Sequence, residues 1–440
     1  MVSKKQKFRT VLLIIILAIA IIAGVFGVSY AKGSVVFPWE VTEKQEEEPQ
    51  VAEEPEAEKV KEATAKEEEL QKEVEKVEEP EEETTEEVEE EPETSVATTG
   101  VSLDYYGALH VEDGKLVDES GDVAVLTGVS SHGLSWYPEY ISPETIESLR
   151  NNWGINVIRL AMYTSDYNGY CVAGEDVQNT LKDNIDAAVE AATENDMYVI
   201  IDWHILNDSN PNEYKAQAIQ FFGEMVRKYE DNENVIYEIC NEPNGDTTWE
   251  DICAYADEVI PVIRNVDSDA VILVGTPNWS SDLDSVVEAP LDYDNIMYTY
   301  HFYAGTHKSS ARNTLTDALD AGLPVFISEY GFVSADGDGS VDTKEAAKWQ
   351  DIIDEYQLSS CIWNLSNKAE GSALISSDCD KTADWEEEEL SEQGQYFVNM
   401  LQSIDTSKQD DDEISDETSE DINEKEQKLN QEKSNMEKKR

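Results

Sequence analysis

Eight short apolar runs, each followed by a stretch with helical periodicity, constrain this chain more than any other feature. The runs are VAVLTGVSSHG from position 123, GINVIRLAMY from 154, MYVIIDWHI from 197, VIYEICNEP from 235, AVILVGTPN from 270, IMYTYHFY from 296, PVFISEYG from 324 and SSCIWNLSN from 359. Seven are separated from the next by an amphipathic stretch, among them VQNTLKDNIDAAVEAATEN, YKAQAIQFFGEMVRKYED and TKEAAKWQDIIDEYQ. An eighth such stretch, EQGQYFVNMLQSI, follows the last run. A strand that is apolar on both faces has to be covered on both, and alternation with helices achieves that in a parallel sheet. Eight strand–helix units between Val101 and Ile404 are the count of a closed α/β architecture, the (β/α)8 or TIM barrel. An open doubly wound sheet is the structural alternative.

In a closed barrel the C-terminal ends of all strands open on one face, where sites of this fold are built. The strand ends in order carry His132 and Trp136, then Arg159, then Trp203 and His204, then Asn241 and Glu242. They continue with Trp279, then His301 and Tyr303, then Glu329, and finally Trp363 and Asn364. Adjacent strand residues alternate, so Trp203 is expected in the barrel wall while His204 faces the pocket. Two carboxylates, Glu242 and Glu329, thus face each other between aromatic walls, and no phosphate-binding loop is present. That set suits cleavage of a glycosidic bond: one carboxylic acid protonates the leaving oxygen and the other meets the cation-like sugar carbon. Indole and phenol faces pack on the C–H faces of pyranose rings while polar groups meet the hydroxyls. An Arg near one carboxylate keeps it ionised, and the other, less compensated, keeps a raised pKa.

The runs N-E-P, I-S-E-Y-G, I-R-L and W-N-L-S-N-K, each at a strand end, resemble glycoside hydrolase family 5. H-G-L-S-W, D-W-H-I-L-N-D and Y-H-F-Y-A-G-T-H resemble its bacterial endo-β-1,4-glucanase (cellulase) branch. The resemblance spans Val101 to Ile404, with the motifs in order and spaced by whole strand–helix units. It implies that Glu242 is the acid/base and Glu329 the nucleophile of a retaining double displacement. It implies that Asn241 binds a sugar 2-hydroxyl, that Arg159 and Tyr303 hold Glu329, and that His132, His204 and His301 complete a hydrogen-bonded floor. Trp136, Trp279 and Trp363 would be stacking platforms, with Lys368 and Glu370 as polar contacts to more distant glucose units. Two positions depart from the branch: Ser209 stands where Gly often precedes Asn-Pro, and Tyr330 follows the nucleophile where Trp or Phe is frequent. Both bear on substrate preference more than on activity.

The catalytic pair acts at the anomeric carbon and does not separate cellulose from mannan, xyloglucan or mixed-linkage glucan, since that choice is made by contacts to ring hydroxyls. A non-catalytic carbohydrate-binding barrel is the alternative outside enzymes. Retention of both Glu with the Asn, Arg and Tyr speaks against it. No cofactor and no metal are expected, because the acidic segments lack a Gly-centred calcium loop. Trp153, Trp249, Trp349 and Trp385 lie in or beside helical patterns and are expected to pack. His110 and His307 are not expected in the site.

Outside 101–404 the alternation stops. The chain carries 96 acidic against 32 basic residues, a formal net charge of -64, and much of the excess lies at the ends. Residues 33–100 are Glu-rich with Lys, Pro, Val and Thr, too poor in large apolar residues to bury a core, and are expected to form a disordered acidic linker. Residues 405–440 read as a disordered charged tail of the same kind. So acidic a balance argues against a nucleic-acid partner. In segment 1–32, Lys4, Lys5, Lys7 and Arg9 precede an uncharged apolar run from Val11 to Val28. An uncleaved membrane anchor is favoured over a cleaved signal, and in either case the rest is expected outside the cytoplasm, at the cell surface or secreted. The five Cys, 171, 240, 253, 361 and 379, have no C-x-x-C spacing and read as isolated, largely buried thiols, with one bridge possible by number. The expected partner is a β-glucan polysaccharide, met by a monomer.

Overall fold

The computed structural model of the protein describes residues 103–403. The expected membrane segment, acidic linker and charged tail lie outside the described residues. Among those described, no helix is long and apolar enough to cross a membrane.

A two-stranded antiparallel hairpin, β1 (His110–Glu112) and β2 (Lys115–Val117), precedes eight parallel strands. These are β3 (Thr127–Ser131), β4 (Val157–Tyr163), β5 (Tyr198–His204), β6 (Val235–Glu238), β7 (Ile272–Val274), β8 (Ile296–Tyr303), β9 (Val325–Gly331) and β10 (Ser360–Leu365). They pair in sequence order and β10 pairs back on β3, so the sheet is a closed barrel and the open alternative is excluded. Each of the eight apolar runs contributes one strand.

Strand alternation divides the side chains into layers. Along β5, Val199, Ile201 and Trp203 join the large cluster between sheet and helices, whereas Tyr198 and Ile200 face the axis at the bottom. Val157, Ile236, Leu273, Met297 and Phe326 fill that bottom layer from the neighbouring strands. Above it the axis turns polar, which builds the site. Trp203 packs outward against Phe221 and Tyr170, with ring centroids at 5.3 and 5.6 Å, as alternation requires.

The outer layer is made by helices Glu175–Glu194, Lys215–Lys228, Trp249–Arg264, Ser309–Asp320 and Thr343–Tyr356, and by a helix over 392–403. Thr248 opens the third of these with a reciprocal capping box to Asp251, and Asp342 accepts from Glu345 N at the start of Thr343–Tyr356. Trp153, Trp249, Trp349 and Trp385 are all buried. Each such ring contributes roughly 1.5–3 kcal/mol of apolar burial or more. The layer is thinner than expected between β7 and β8, where only the short turns Pro277–Ser280 and Asp284–Glu288 are helical. Asn278 and Trp279 there have φ of 57° and 56°, a left-handed backbone that stops helix growth.

The hairpin was not expected, since strands of three residues carry too little periodicity. Its signal was the Asp113-Gly114 pair, which takes positive φ at both positions (48° and 77°), the geometry of a tight hairpin turn. Tyr106, Leu109 and Leu116, on and beside it, join the bottom layer and close that end of the barrel. All five cysteines are free thiols: Cys240, Cys361 and Cys379 are buried, Cys171 and Cys253 half-buried.

Candidate active site

The upper axis of the barrel is built around Arg159 on β4, which is fully buried. Its Nε donates to Glu238 Oε2 at 2.7 Å, Nη2 lies 3.0 Å from Asp202 Oδ2, and Nη1 donates to Glu329 Oε2 at 3.2 Å. Nη2 also donates to Asn241 Oδ1 at 2.7 Å and Nη1 to Ser130 Oγ at 3.2 Å. Burial opposes the charge on this guanidinium, and the three carboxylates more than offset that, so Arg159 stays charged. Asp202 and Glu238 were not anticipated. Their signal was a lone carboxylate within an otherwise apolar run, which has to find a cation.

Glu329 and Glu242 meet above this core with different partners. Glu329 accepts from Tyr303 Oη at 2.7 Å and from Arg159, whereas Glu242 Oε1 lies 3.0 Å from His301 Nδ1. One oxygen from each carboxylate and one nitrogen of His301 all lie within 4.8 Å of one another. The trio is compact enough for a cation, but both His301 nitrogens already have partners, so the donor set is not preformed.

The hydrogen bonds assign the proton on Glu242. Glu238 holds Arg159 through both oxygens and also accepts from Ser328 Oγ at 2.8 Å. With its hydrogen used, Ser328 Oγ accepts from His301 Nε2 at 2.9 Å, so in the neutral ring Nδ1 is the bare nitrogen. Glu242 is then the donor to Nδ1, which requires it to be protonated. Burial independently pushes the Glu242 carboxyl up to about 8, with Arg159 opposing. Burial pushes His301 down to about 4, so the ring is neutral. Glu329 is not simply depressed by Arg159 as expected. Burial and then Glu242 raise it, while His301, Arg159 and His204 pull it down. Burial is the main physical reason, since Arg159 alone does not offset the desolvation of a carboxylate set this deep in the barrel.

Backbone detail aims both groups. β6 ends at Glu238, so Glu242 sits past the strand on a segment held by Asn241 N to Trp203 O at 3.2 Å and Ser280 Oγ to Asn241 O at 2.6 Å. Gly275 of the adjacent strand end is required there, because a Cβ on it would lie 2.2 Å from Cys240 O. Asn241 itself is fully buried. Its Nδ2 donates to Ile205 O at 3.0 Å and lies 3.3 Å from His204 Nε2. Its amide thus braces both Arg159 and His204 from within the barrel. His204 is held from its other side by Asp202, with Nδ1 2.6 Å from Oδ2.

The cleft above holds about 420 Å³. Glu242, Glu329, Tyr303, His132, His204, Trp136, Trp279, Trp363, Lys368 and Glu370 all line it, and His301 reaches it through Glu242. Trp136 and Trp279 expose 43% and 49% of their surface, while Trp363 is tucked between His132 and His204, stacked on the latter at 5.4 Å. Lys368 Nζ bridges Glu370 Oε2 at 2.6 Å and His132 Nε2 at 3.1 Å. Burial, and then Lys368, push His132 down to about 4. Sequence reasoning missed Tyr163, Leu206, Asp166 and Asp336, which also line the cleft. It also missed His307, which walls a smaller adjoining cavity. Tyr163 was legible as the last residue of its run; the others lie on loops without periodicity. Tyr330 faces away, 5.2 Å from Phe302 in the outer core, because it follows Glu329 on the opposite side of β9. Its departure from the branch therefore does not touch the cleft.

Residues 117–369 match the family described as Cellulase (glycosyl hydrolase family 5). The chain is 63% identical over 412 residues to Endoglucanase A of Butyrivibrio fibrisolvens, covering 92% of this chain and 96% of that protein. It is 43% identical over 304 residues to an endoglucanase of Clostridium saccharobutylicum, covering 69% of this chain and 67% of that one. Among solved structures, the catalytic domain of Thermobifida fusca endoglucanase Cel5A in complex with cellotetraose superposes with a TM-score of 0.65 at 34% identity, covering 69% of this chain and all of that one.

Proposed function

The chain belongs to glycosyl hydrolase family 5, and we propose that it cleaves internal β-1,4-glucosidic bonds of cellulose-type polysaccharide as a retaining endoglucanase. The observation that carries the mechanism is the close approach of Glu242 and Glu329, with oxygens within 4.8 Å, and their unlike partners. So short a separation leaves no room for a water between carboxylate and anomeric carbon, which an inverting enzyme needs. Glu329, held by Arg159 and Tyr303, attacks the anomeric carbon as the glycosidic C–O bond breaks. Glu242 gives its proton to the leaving oxygen. Water then attacks the glycosyl ester, Glu242 takes back a proton, and Glu329 is released with the configuration retained. Trp136, Trp279 and Trp363 carry the flanking glucose rings.

Trapping with a 2-fluoro glycoside followed by peptide mass mapping tests the pair. The label is expected on Glu329, absent in Glu329→Ala, and still formed by Glu242→Ala from a substrate with an activated leaving group. Label on a peptide without Glu329 overturns the assignment. A panel of soluble glucans, mannans and xyloglucans is expected to rank β-1,4-glucan first. The basic residues and apolar run of segment 1–32 support a place outside the cytoplasm, held to the membrane. Recovery of activity with cytoplasmic rather than membrane or outside fractions would reject that placement.

A further inference from the structure

We propose that Asp166 and Tyr167, on the loop after β4, add one glucosyl subsite to the glycone end of the cleft, beyond Trp136. The inference rests on the endoglucanase reading above. The acid identifies the ends. Glu242 also opens onto a cavity of about 240 Å³ walled by Asn278, Trp279 and His307, so the departing half of the chain, whose oxygen Glu242 protonates, runs toward Trp279. Trp136 has no part in that cavity and stands past His132 and Trp363, at the other end.

Trp136 is not alone there. The Tyr167 ring lies 5.0 Å from it, centroid to centroid, with the planes at 46°, and the two side chains are 43% and 59% exposed. Two large rings left open side by side at the lip of a sugar cleft offer an apolar surface matched to pyranose C–H faces. Their mutual tilt suits successive rings of a twisting β-1,4 chain. Asp166, next to Tyr167, lines the cleft. Its Oδ1 accepts from Asn207 Nδ2 at 2.5 Å, whereas its Oδ2 is shielded from solvent without any hydrogen-bond partner. A buried acceptor left unpaired is costly, and rotating the half-buried Asp166 carboxylate toward the cleft it lines would pair it with a sugar hydroxyl. The loop is braced in place by Tyr170 N to Tyr163 O and Cys171 N to Thr164 O, both 2.8 Å, and by Thr164 Oγ1 to Asp208 Oδ2 at 2.7 Å. The surface is thus preorganised for binding.

The test is kcat/KM on cellotriose through cellohexaose, with end-labelled substrates to locate the cleaved bond. Tyr167→Ala is expected to reduce the gain from the outermost glycone unit about fivefold, and Asp166→Asn about threefold, with Tyr167→Phe retaining it. Trp136→Ala is expected to reduce the gain one unit nearer the cleaved bond. A Tyr167→Ala profile that overlays the wild type, or that loses the same step as Trp136→Ala, overturns the subsite; in the latter case Tyr167 only braces Trp136. Failure of the wild-type protein to cleave any of these oligosaccharides overturns the endoglucanase reading and the subsite together, and the wild-type control alone distinguishes that case.

Discussion

At the scale of single residues, the proton on Glu242 is the most consequential feature, because a general acid has to hold its proton at working pH. With the carboxyl at about 8, kcat/KM is expected to fall about tenfold per unit above pH 8, read from a pH–rate profile. The same shift is a statement about stability. A carboxyl raised in the folded state from 4.5 to about 8 is fully compatible with folding below pH 4.5, and its contribution is lost progressively as pH rises to 8. Glu242→Gln cannot ionise. It should therefore melt several degrees above the wild type at pH 8 and match it at pH 4, while losing about 10³-fold or more in activity on unactivated substrate. A melting difference that does not vary with pH would show that Glu242 is not buried neutral. Ser209 offers a milder test. Its φ is +55°, a left-handed backbone that strains any residue with a Cβ and that Gly adopts freely. Ser209→Gly should stabilise by up to about 1 kcal/mol, measured by denaturant midpoint at constant slope.

At the scale of elements, β9 does something that a regular strand does not. Val325 and Ile327 face the helices, Phe326 and Ser328 face the axis, and strict alternation would turn Glu329 outward. The pairing of β8 with β9 shifts register between Thr299–Phe326 and His301–Glu329, and this irregularity brings Ser328 and Glu329 inward together. One strand thereby supplies both the hydroxyl that sets the His301 tautomer and the nucleophile. Helix Thr343–Tyr356 holds this sector from outside through Trp349, which is stacked on Phe302 at 3.9 Å and donates from Nε1 to His307 O at 3.0 Å. Trp349→Ala should cost about 3–5 kcal/mol in denaturant unfolding, and Trp349→Phe, which keeps the stacking and loses the hydrogen bond, distinctly less. Equal losses for the two would mean that ring burial is not what the helix contributes.

At the scale of the whole molecule, every group that the mechanism uses lies within the described residues, although the formal charge of -64 belongs to the full chain. The acidic segments outside have almost nothing apolar to add to the core. The 101–404 piece, produced alone, is therefore expected to match the full chain within about twofold in kcat/KM on soluble cello-oligosaccharides and to melt within a few degrees of it. On large, surface-bound polymer presented to intact cells the full chain should do better, because segment 1–32 would keep it there. A 101–404 piece that fails to fold would show that the acidic segments are structural.

Which parts were legible in sequence follows from the range of the interactions that specify them. The eight strands, most of their covering helices and the residues at the strand ends were readable because hydrophobic periodicity is local and repeats along the chain. Those strand ends included Glu242 and Glu329, and the resemblance then gave the pair their roles and named Arg159 and Tyr303 as the partners of Glu329. Tertiary structure alone decided the rest. Asp202 and Glu238 became partners of Arg159 because three neighbouring strands, β4, β5 and β6, bring them within 3.2 Å of it. Asn241 turned inward to serve Arg159 and His204, and Tyr330 turned out of the cleft. The proton of Glu242 was assigned by a chain of hydrogen bonds from Glu238 through Ser328 and His301, residues separated by 90 and 27 positions in sequence. Periodicity carries information about which face a residue takes within its own element. Register and hydrogen-bond direction between elements exist only once the barrel has closed.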